Sequence, residues 1–397
     1  MKYLALLAAV AATPAWSQAD PADWDAVTSA AQGQTVFWNA WGGSTTTNDF
    51  IAWVGERVAE DYGVTLEHVK LTDTADAVTR VLSEKQAGTD TDGAIDMIWI
   101  NGANFAAMKE ADLLFGPFAE QLPNWQYVDV DGKTVQTDFT VPVEGYESPW
   151  AMAQVVFVYD SADMEPLGSM QAILDWSTAN PGRFTYPQPP DFLGTTFLKQ
   201  VLVDTLDDPS VLQSPATDEN YDTVTAPLWD YLYALTPTLW REGRAYPATG
   251  TAMFPLIADA ELDLSISFSP GAASTAIANS ELPDTVRTFV LDKGTIGNAS
   301  FVAIPYNSGS AEGAMVVANF LMSPEAQARA QDPDVLGYGT VLDMDKLDAD
   351  QRAAFDALEL GVATLSPAEL GTVQAEPHPS WMTRIADDWV TRYGVAQ

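Results

Sequence analysis

Thr35-Val-Phe-Trp-Asn-Ala-Trp41-Gly42-Gly43-Ser44-Thr45-Thr46-Thr47-Asn48 is the stretch on which the fold turns. Its first seven residues are mostly β-branched or aromatic, which reads as a strand. Two glycines stop the strand. Ser44 to Asn48 then offer N-caps for a helix whose apolar positions are Ile51, Val54, Val58 and Tyr62, and Gly63 ends it. The same grammar continues downstream. Thr65-Leu-Glu-His-Val-Lys-Leu71 alternates as a second strand, and a helix containing Val78, Val81 and Leu82 runs to Gly88. Ile95-Asp-Met-Ile-Trp-Ile100 is a third strand, and Asn101-Gly102-Ala103-Asn104 leads into a helix through Met108. Strands alternating with helices over short turns predict a parallel sheet with crossover helices.

Beyond this unit the pattern loosens over 116–150, where Gly, Pro and Asp interrupt it. It then restarts. Val155–Tyr159 reads as a strand, Met170–Trp176 as a helix, and Arg183–Tyr186 as a strand stopped by Pro187, Pro189 and Pro190. Gly194-Thr195-Thr196 opens a helix through Leu198, Val201, Leu202 and Leu206. Leu262–Phe268 alternates as a strand, Phe301–Pro305 is another, and the chain is mainly helical from Ala311. Two such sets predict an α/β protein of two lobes. The 397 residues suit two lobes better than one ordinary core.

Composition narrows the function. With 55 acidic and 18 basic residues the formal charge is −37, a surface that repels phosphate backbones and anionic lipid, so neither nucleic acid nor membrane is an expected partner. There is no cysteine, which excludes disulfides, thiolate metal sites, a cysteine nucleophile and a lipid-modified cysteine. Two histidines, His68 and His378, leave little for histidine catalysis or transition metals. Lys2, the apolar run Leu4–Ala12, Pro14 and small residues at Ser17 and Ala19 read as a secretory signal cut after Ala19, with a cut after Ser17 as the alternative. The run is too short to span a bilayer. The expectation is an exported, periplasmic protein without a membrane anchor and without a cofactor.

Asn319-Phe-Leu-Met-Ser323-Pro324-Glu325-Ala326-Gln327 resembles a segment common in bacterial extracellular solute-binding proteins. Physically it is a helix corner, with Ser323 as cap and Pro324 at the first helical position. Asn39-Ala-Trp41-Gly42-Gly43-Ser44, Asp96–Gly102, Pro149–Gln154, Pro181–Tyr186, Pro189–Phe192, Gly194–Gln200 and Asn298–Pro305 resemble a narrower group, the YnjB-type substrate-binding proteins of ABC importers. The resemblance implies a type-2 periplasmic-binding fold whose hinged lobes close on a solute and hand it, as a monomer, to a permease driven by a separate ATPase. It implies a signal at 1–19, lobe one at 20–145 and 301–340, and lobe two at 146–300 and 341–397, with the C-terminal helices packed on it. It leaves the solute open.

Ligands of open parallel sheets sit beyond the carboxyl ends of strands. That points to Asn39, Trp41, Gly42, Gly43, Ser44 and Thr45 at the first turn, where free N–H groups and a large ring meet. It points to Asn101, Gly102 and Asn104 at the second, and to Asp191, Phe192 and Thr195 at the start of the second-lobe helix. Glu144 and Trp150 lie near the expected lobe crossing, as acid beside aromatic, while neighbouring Glu147 reads as a solvated hinge residue. Tyr186 and Asn298 complete the set. No Arg or Lys falls in these turns, so sulfate, phosphate and dicarboxylates are disfavoured, and an organic cation such as a polyamine or thiamine-like compound is favoured. Two alternatives remain: a neutral sugar on the same fold, or an exported hydrolase using an Asp/Glu pair. Asp90-Thr-Asp92-Gly93 and Asp129-Val-Asp131-Gly132 lack the further ligands of a calcium loop and read as turns.

Overall fold

The computed structural model describes residues 18–394. The expected signal therefore lies, but for its last two residues, outside the described residues. Helix α1 (Trp24–Ala31) precedes β1 (Thr35–Trp41), and α2 (Thr45–Tyr62), β2 (Thr65–Leu71), α3 (Thr74–Ala87), β3 (Met97–Ile100) and α4 (Ala103–Glu110) follow in the predicted alternation. Local chemistry sets their ends. The Ser44 side chain caps α2 by accepting from the Thr47 N–H, and Gly63 ends it in the left-handed conformation that glycine adopts cheaply.

A two-residue turn joins β4 (Thr137–Asp138) to β5 (Val141–Pro142). β6 (Glu147–Gln154) then passes through Val155 into β7 (Val156–Asp160). The second set continues with α5 (Met170–Ala179), α6 (Phe192–Thr205), α7 (Tyr221–Leu235), β8 (Leu264–Ser267), β9 (Val286–Phe289), β10 (Thr295–Ala303) and, near the end, β11 (Val373–Gln374).

The large sheet runs β11-β10-β3-β1-β2, with β6 also on β10. β1 is parallel to β2 and β3, as expected, but β10 is antiparallel to both β3 and β6. The sheet is mixed because β10 returns from the second set rather than over a crossover helix. The second sheet, β8-β7-β9, is wholly antiparallel. The strand expected at 183–186 reduces to one bridge, Phe184 to Leu264. Three prolines within the next four residues remove the donors a ladder needs.

Two main cores result. The first gathers Trp38, Phe50, Val54, Trp150, Phe301 and the helix Ala311–Leu321. The second gathers Phe157, Phe184, Tyr186, Phe197, Leu232 and Ile296, closed by Trp381, Ile385 and Trp389 of the helix Pro379–Tyr393. The 341–397 segment, expected whole on lobe two, divides: Val341, Leu342, Leu347 and Phe355 are apolar partners of the first core, and the chain joins the second only afterwards. The continuous run of β6 into β7 and the length of β10 carry the backbone between the cores. Ile296 at one end of β10 is in the second, Phe301 and Val302 at the other end in the first. Helices α4 and Pro379–Tyr393, one from each side, touch where the lobes meet.

Candidate functional site at the lobe junction

Helix α6 is buried on all sides from Gly194 to Val203. An apolar environment that complete is normal for Phe197, Leu198, Val201 and Leu202, but it also encloses Lys199, whose side chain is 0% exposed. A buried ammonium requires a partner. Lys199 Nζ donates to Glu376 Oε2 at 2.7 Å, and Glu376 Oε1 accepts from Asn298 Nδ2 at 3.0 Å. Burial raises the Glu376 pKa, and the Lys199 ion pair opposes that rise. At positions i, i+3 and i+7, Phe192, Thr195 and Lys199 form one stripe of α6. The N-cap Asp191 accepts from the Leu193 and Gly194 N–H groups at 2.9 and 3.2 Å, and burial holds its carboxyl above the usual range.

The first lobe reaches this stripe through the β4–β5 turn. Phe139 at its tip has φ +53, a conformation rare for a bulky residue and typical of strained functional positions. Its ring centroid lies 4.6 Å from Lys199 Nζ, and the Phe192 ring lies 5.3 Å from the same nitrogen. The ammonium is thus held between one aromatic ring from each lobe and a carboxylate. Beside it, the Asp138 carboxylate accepts from the Gly102 N–H and from Asn101 Nδ2, the latter at 3.3 Å. Asn101 Nδ2 also donates to the Ala299 carbonyl at 2.7 Å. Burial pushes Asp138 from 3.8 up to about 7. The Gly102 and Asn101 bonds and Lys199 lower it, and Glu376 raises it. Glu147 is also fully buried, and neither of its oxygens has a hydrogen-bond partner among the described residues. Desolvation first and Asp138 second drive its pKa well above the usual carboxylate range, and Lys109 opposes that rise.

Several sequence-derived candidates meet here: Asn101, Gly102, Phe192, Thr195 and Asn298, with Asp191 at the head of α6. Thr195 Oγ1 is buried and unpartnered. Asn104 lies half-buried on the first turn of α4. The first turn is more self-contained. Asn48 Nδ2 donates to the Gly42 carbonyl, Ser44 caps α2, the Trp41 ring lies against Gly43, and Thr45 is exposed. Asn39 in β1 keeps an unpartnered, buried Oδ1.

Three candidates are corrected. Glu144 is 64% exposed on its side chain and pairs with Lys109 at 2.7 Å, on the surface. Trp150 is 0% exposed, stacked on Phe50 and edge-on to Trp38 and Trp99, so it is a first-core residue. Tyr186 is 0% exposed, stacked on Phe197 at 4.3 Å, with its hydroxyl accepting from Trp389 Nε1. Both rings have the burial of large apolar groups whose polar end finds, or forgoes, an internal partner. Glu147, expected solvated, is buried because β6 pairs it with Ala303 inside the sheet. The turns themselves carry no Arg or Lys, as expected, but α6 brings Lys199 to the junction from within the helix. Its signal was legible: a charge inside the apolar run Phe197–Val203. Asp138 and Phe139 carried no comparable signal.

Residues 53–350 match the family model described as bacterial extracellular solute-binding protein. The chain is 43% identical over 373 residues to Protein YnjB of Escherichia coli K12, covering 94% of each. Among solved structures it is similar to the periplasmic binding protein AfuA of Actinobacillus pleuropneumoniae with fructose-6-phosphate bound (TM-score 0.64, 12% identity, 91% of this chain and 99% of that one). It is also similar to the spermidine/putrescine substrate-binding protein PotD of Streptococcus pneumoniae (TM-score 0.60, 17% identity, 91% and 98%) and to a ferric binding protein of Campylobacter jejuni (TM-score 0.61, 11% identity, 90% and 98%). At these identities the structures share the two-lobed fold.

Proposed function

This chain belongs to the bacterial extracellular solute-binding proteins, and from that premise we propose that it captures a small organic cation, a polyamine or thiamine-like compound, between its two lobes in the periplasm and delivers it to an ABC permease and its ATPase. The family and its structural neighbours are transport proteins rather than enzymes, and no helix among the described residues is long and apolar enough to cross a membrane. The observation that carries the cation is the charge balance at the junction. Asp138 and Glu376 are buried beside one ammonium, that of Lys199. Burial raises both carboxyls, and a cation between the lobes would offset that desolvation by favouring their ionised forms. A solute touching both faces also favours the closed arrangement.

The exported, strongly acidic surface would steer cations toward the cleft. Phe139 and Phe192 would face the cation's apolar body. Calorimetry with putrescine, spermidine, thiamine and a sugar panel tests the reading. We expect cation binding that tightens as pH rises through about 7, because the cation prefers the ionised form of Asp138. Tight sugar binding with no response to any of the cations overturns it. Sustained turnover of a glycoside or ester, abolished by one carboxylate substitution, overturns it in favour of a hydrolase.

A further inference from the structure

We propose that Lys199 is a specificity-determining residue: by engaging Glu376 it leaves the junction a single negative charge, on Asp138, and so selects singly charged organic cations over dications and polycations. This rests on the cation-binding reading above and sharpens it to a charge class.

The argument is a count of fixed charges. Lys199 is enclosed on α6, with Glu376 at 2.7 Å, Phe139 on one side and Phe192 on the other. Glu376 is held in turn by Asn298. That pair is neutral as a unit, and separating it would leave a buried ammonium without its carboxylate, which is the costly way to break a buried pair. A solute therefore does not displace Lys199. Glu147 has no donor on either oxygen and sits opposite Ala303 in the sheet, and burial raises its pKa, so nothing there holds it as a fixed charge. Asp191 is committed to the N-terminus of α6, whose N–H groups it accepts. Asp138 remains. Its partners, the Gly102 N–H and Asn101 Nδ2, are neutral donors, and no ion pair to it is formed among the described residues. One carboxylate without a counter-ion matches one positive charge. A second ammonium on the solute would be buried without a partner, beside Lys199. An anion would meet Asp138 and Glu376 together.

Isothermal titration calorimetry at about pH 8.5, where a carboxyl titrating near 7 is ionised, separates the possibilities. The ligands are choline and thiamine as single charges, putrescine as a double and spermidine as a triple. Wild type is expected to bind a singly charged cation roughly tenfold or more tightly than putrescine. Lys199→Met removes the one positive charge, making the junction more negative by one, and is expected to reverse that order. The double variant Lys199→Met/Glu376→Gln removes one charge of each sign and is expected to return to the wild-type order. It leaves neither half of the Lys199–Glu376 pair as an uncompensated buried charge, so it remains informative if the single variant folds poorly. An unchanged order in Lys199→Met, or a reversed order in the double variant, overturns the charge rule while leaving cation binding intact. Wild type that binds none of the four removes the cation reading itself, and the rule with it.

Discussion

The turn at Gly42–Thr45 and the turn at Asn101–Asn104 both lead a first-lobe strand into a helix, and both use glycine and polar residues to do it. The first takes its side-chain partners from nearby sequence: Ser44 caps α2, Asn48 reaches back to the Gly42 carbonyl, and Trp41 covers Gly43, while the Gly42 N–H donates to the Leu71 carbonyl of the neighbouring strand. The second is satisfied from a distance. Its N–H and its amide are taken by Asp138, thirty-six residues from Gly102, and through Asp138 it joins the buried charges shared by the lobes. Two turns of the same grammar thus differ in what they are coupled to. A locally capped turn is a structural part, whereas one anchored on a buried carboxylate inherits the electrostatics of the junction.

The largest effect separating them should be the response to pH. A carboxyl that holds its proton more tightly in the folded state favours folding fully below its unfolded pKa and loses that advantage as pH rises to its folded pKa. For Asp138, from 3.8 to about 7, the loss is at most roughly 4 kcal/mol between about pH 4 and 7. Glu147, Glu376 and Asp191, all raised by burial, act in the same direction. Urea titrations across that window should show stability falling with pH, with a smaller slope in Asp138→Asn and an unaltered slope in Ser44→Ala. Equal slopes in all three proteins would erase the distinction between the turns.

Next in size is Gly102→Ala. Gly102 has φ +59 and ψ −121, and an added Cβ would lie 2.8 Å from the Phe139 ring. A loss of about 2–3 kcal/mol is expected from backbone strain and crowding together. Gly43 has no positive φ; its added Cβ would lie 2.5 Å from the Trp41 ring, but that ring is partly exposed and can swing toward solvent. Gly43→Ala should therefore cost under about 1 kcal/mol. Chemical denaturation of both variants checks the contrast, which fails if they lose the same amount.

Ser44→Ala should cost about 1 kcal/mol through loss of the α2 cap, with no change in cation affinity. The smallest effect belongs to Glu144→Ala. The Glu144–Lys109 pair is exposed, and such pairs are worth about 0–1 kcal/mol. Neither stability nor binding should move measurably, and a tenfold change in cation affinity would return Glu144 to the site.

The legibility of the molecule from sequence follows the same divide. β1, β2, α2, α3 and α4 lie within a few residues of their expected bounds, because periodicity, caps and glycine stops are local properties of the chain. Asn101 and Gly102 were legible at a strand end and Phe192 at a helix start, whereas Asn298 lies inside β10. Trp150 and Tyr186 were misplaced because a large amphipathic ring beside an acid reads the same whether it lines a cleft or fills a core. Only the packing of Phe50, Trp38 and Phe197 against them distinguishes the two.

Strand–helix alternation, the acid excess and the lack of cysteine are written in the order and kind of residues, since each depends on near neighbours or on totals. The union of Asp138, Lys199, Glu376 and Asn298 is not, because those residues lie far apart along the chain and meet only when β10 and the C-terminal segment return across both lobes. Charge at a site depends on burial and on who stands opposite. Both are properties of the folded pair of lobes and of no single segment.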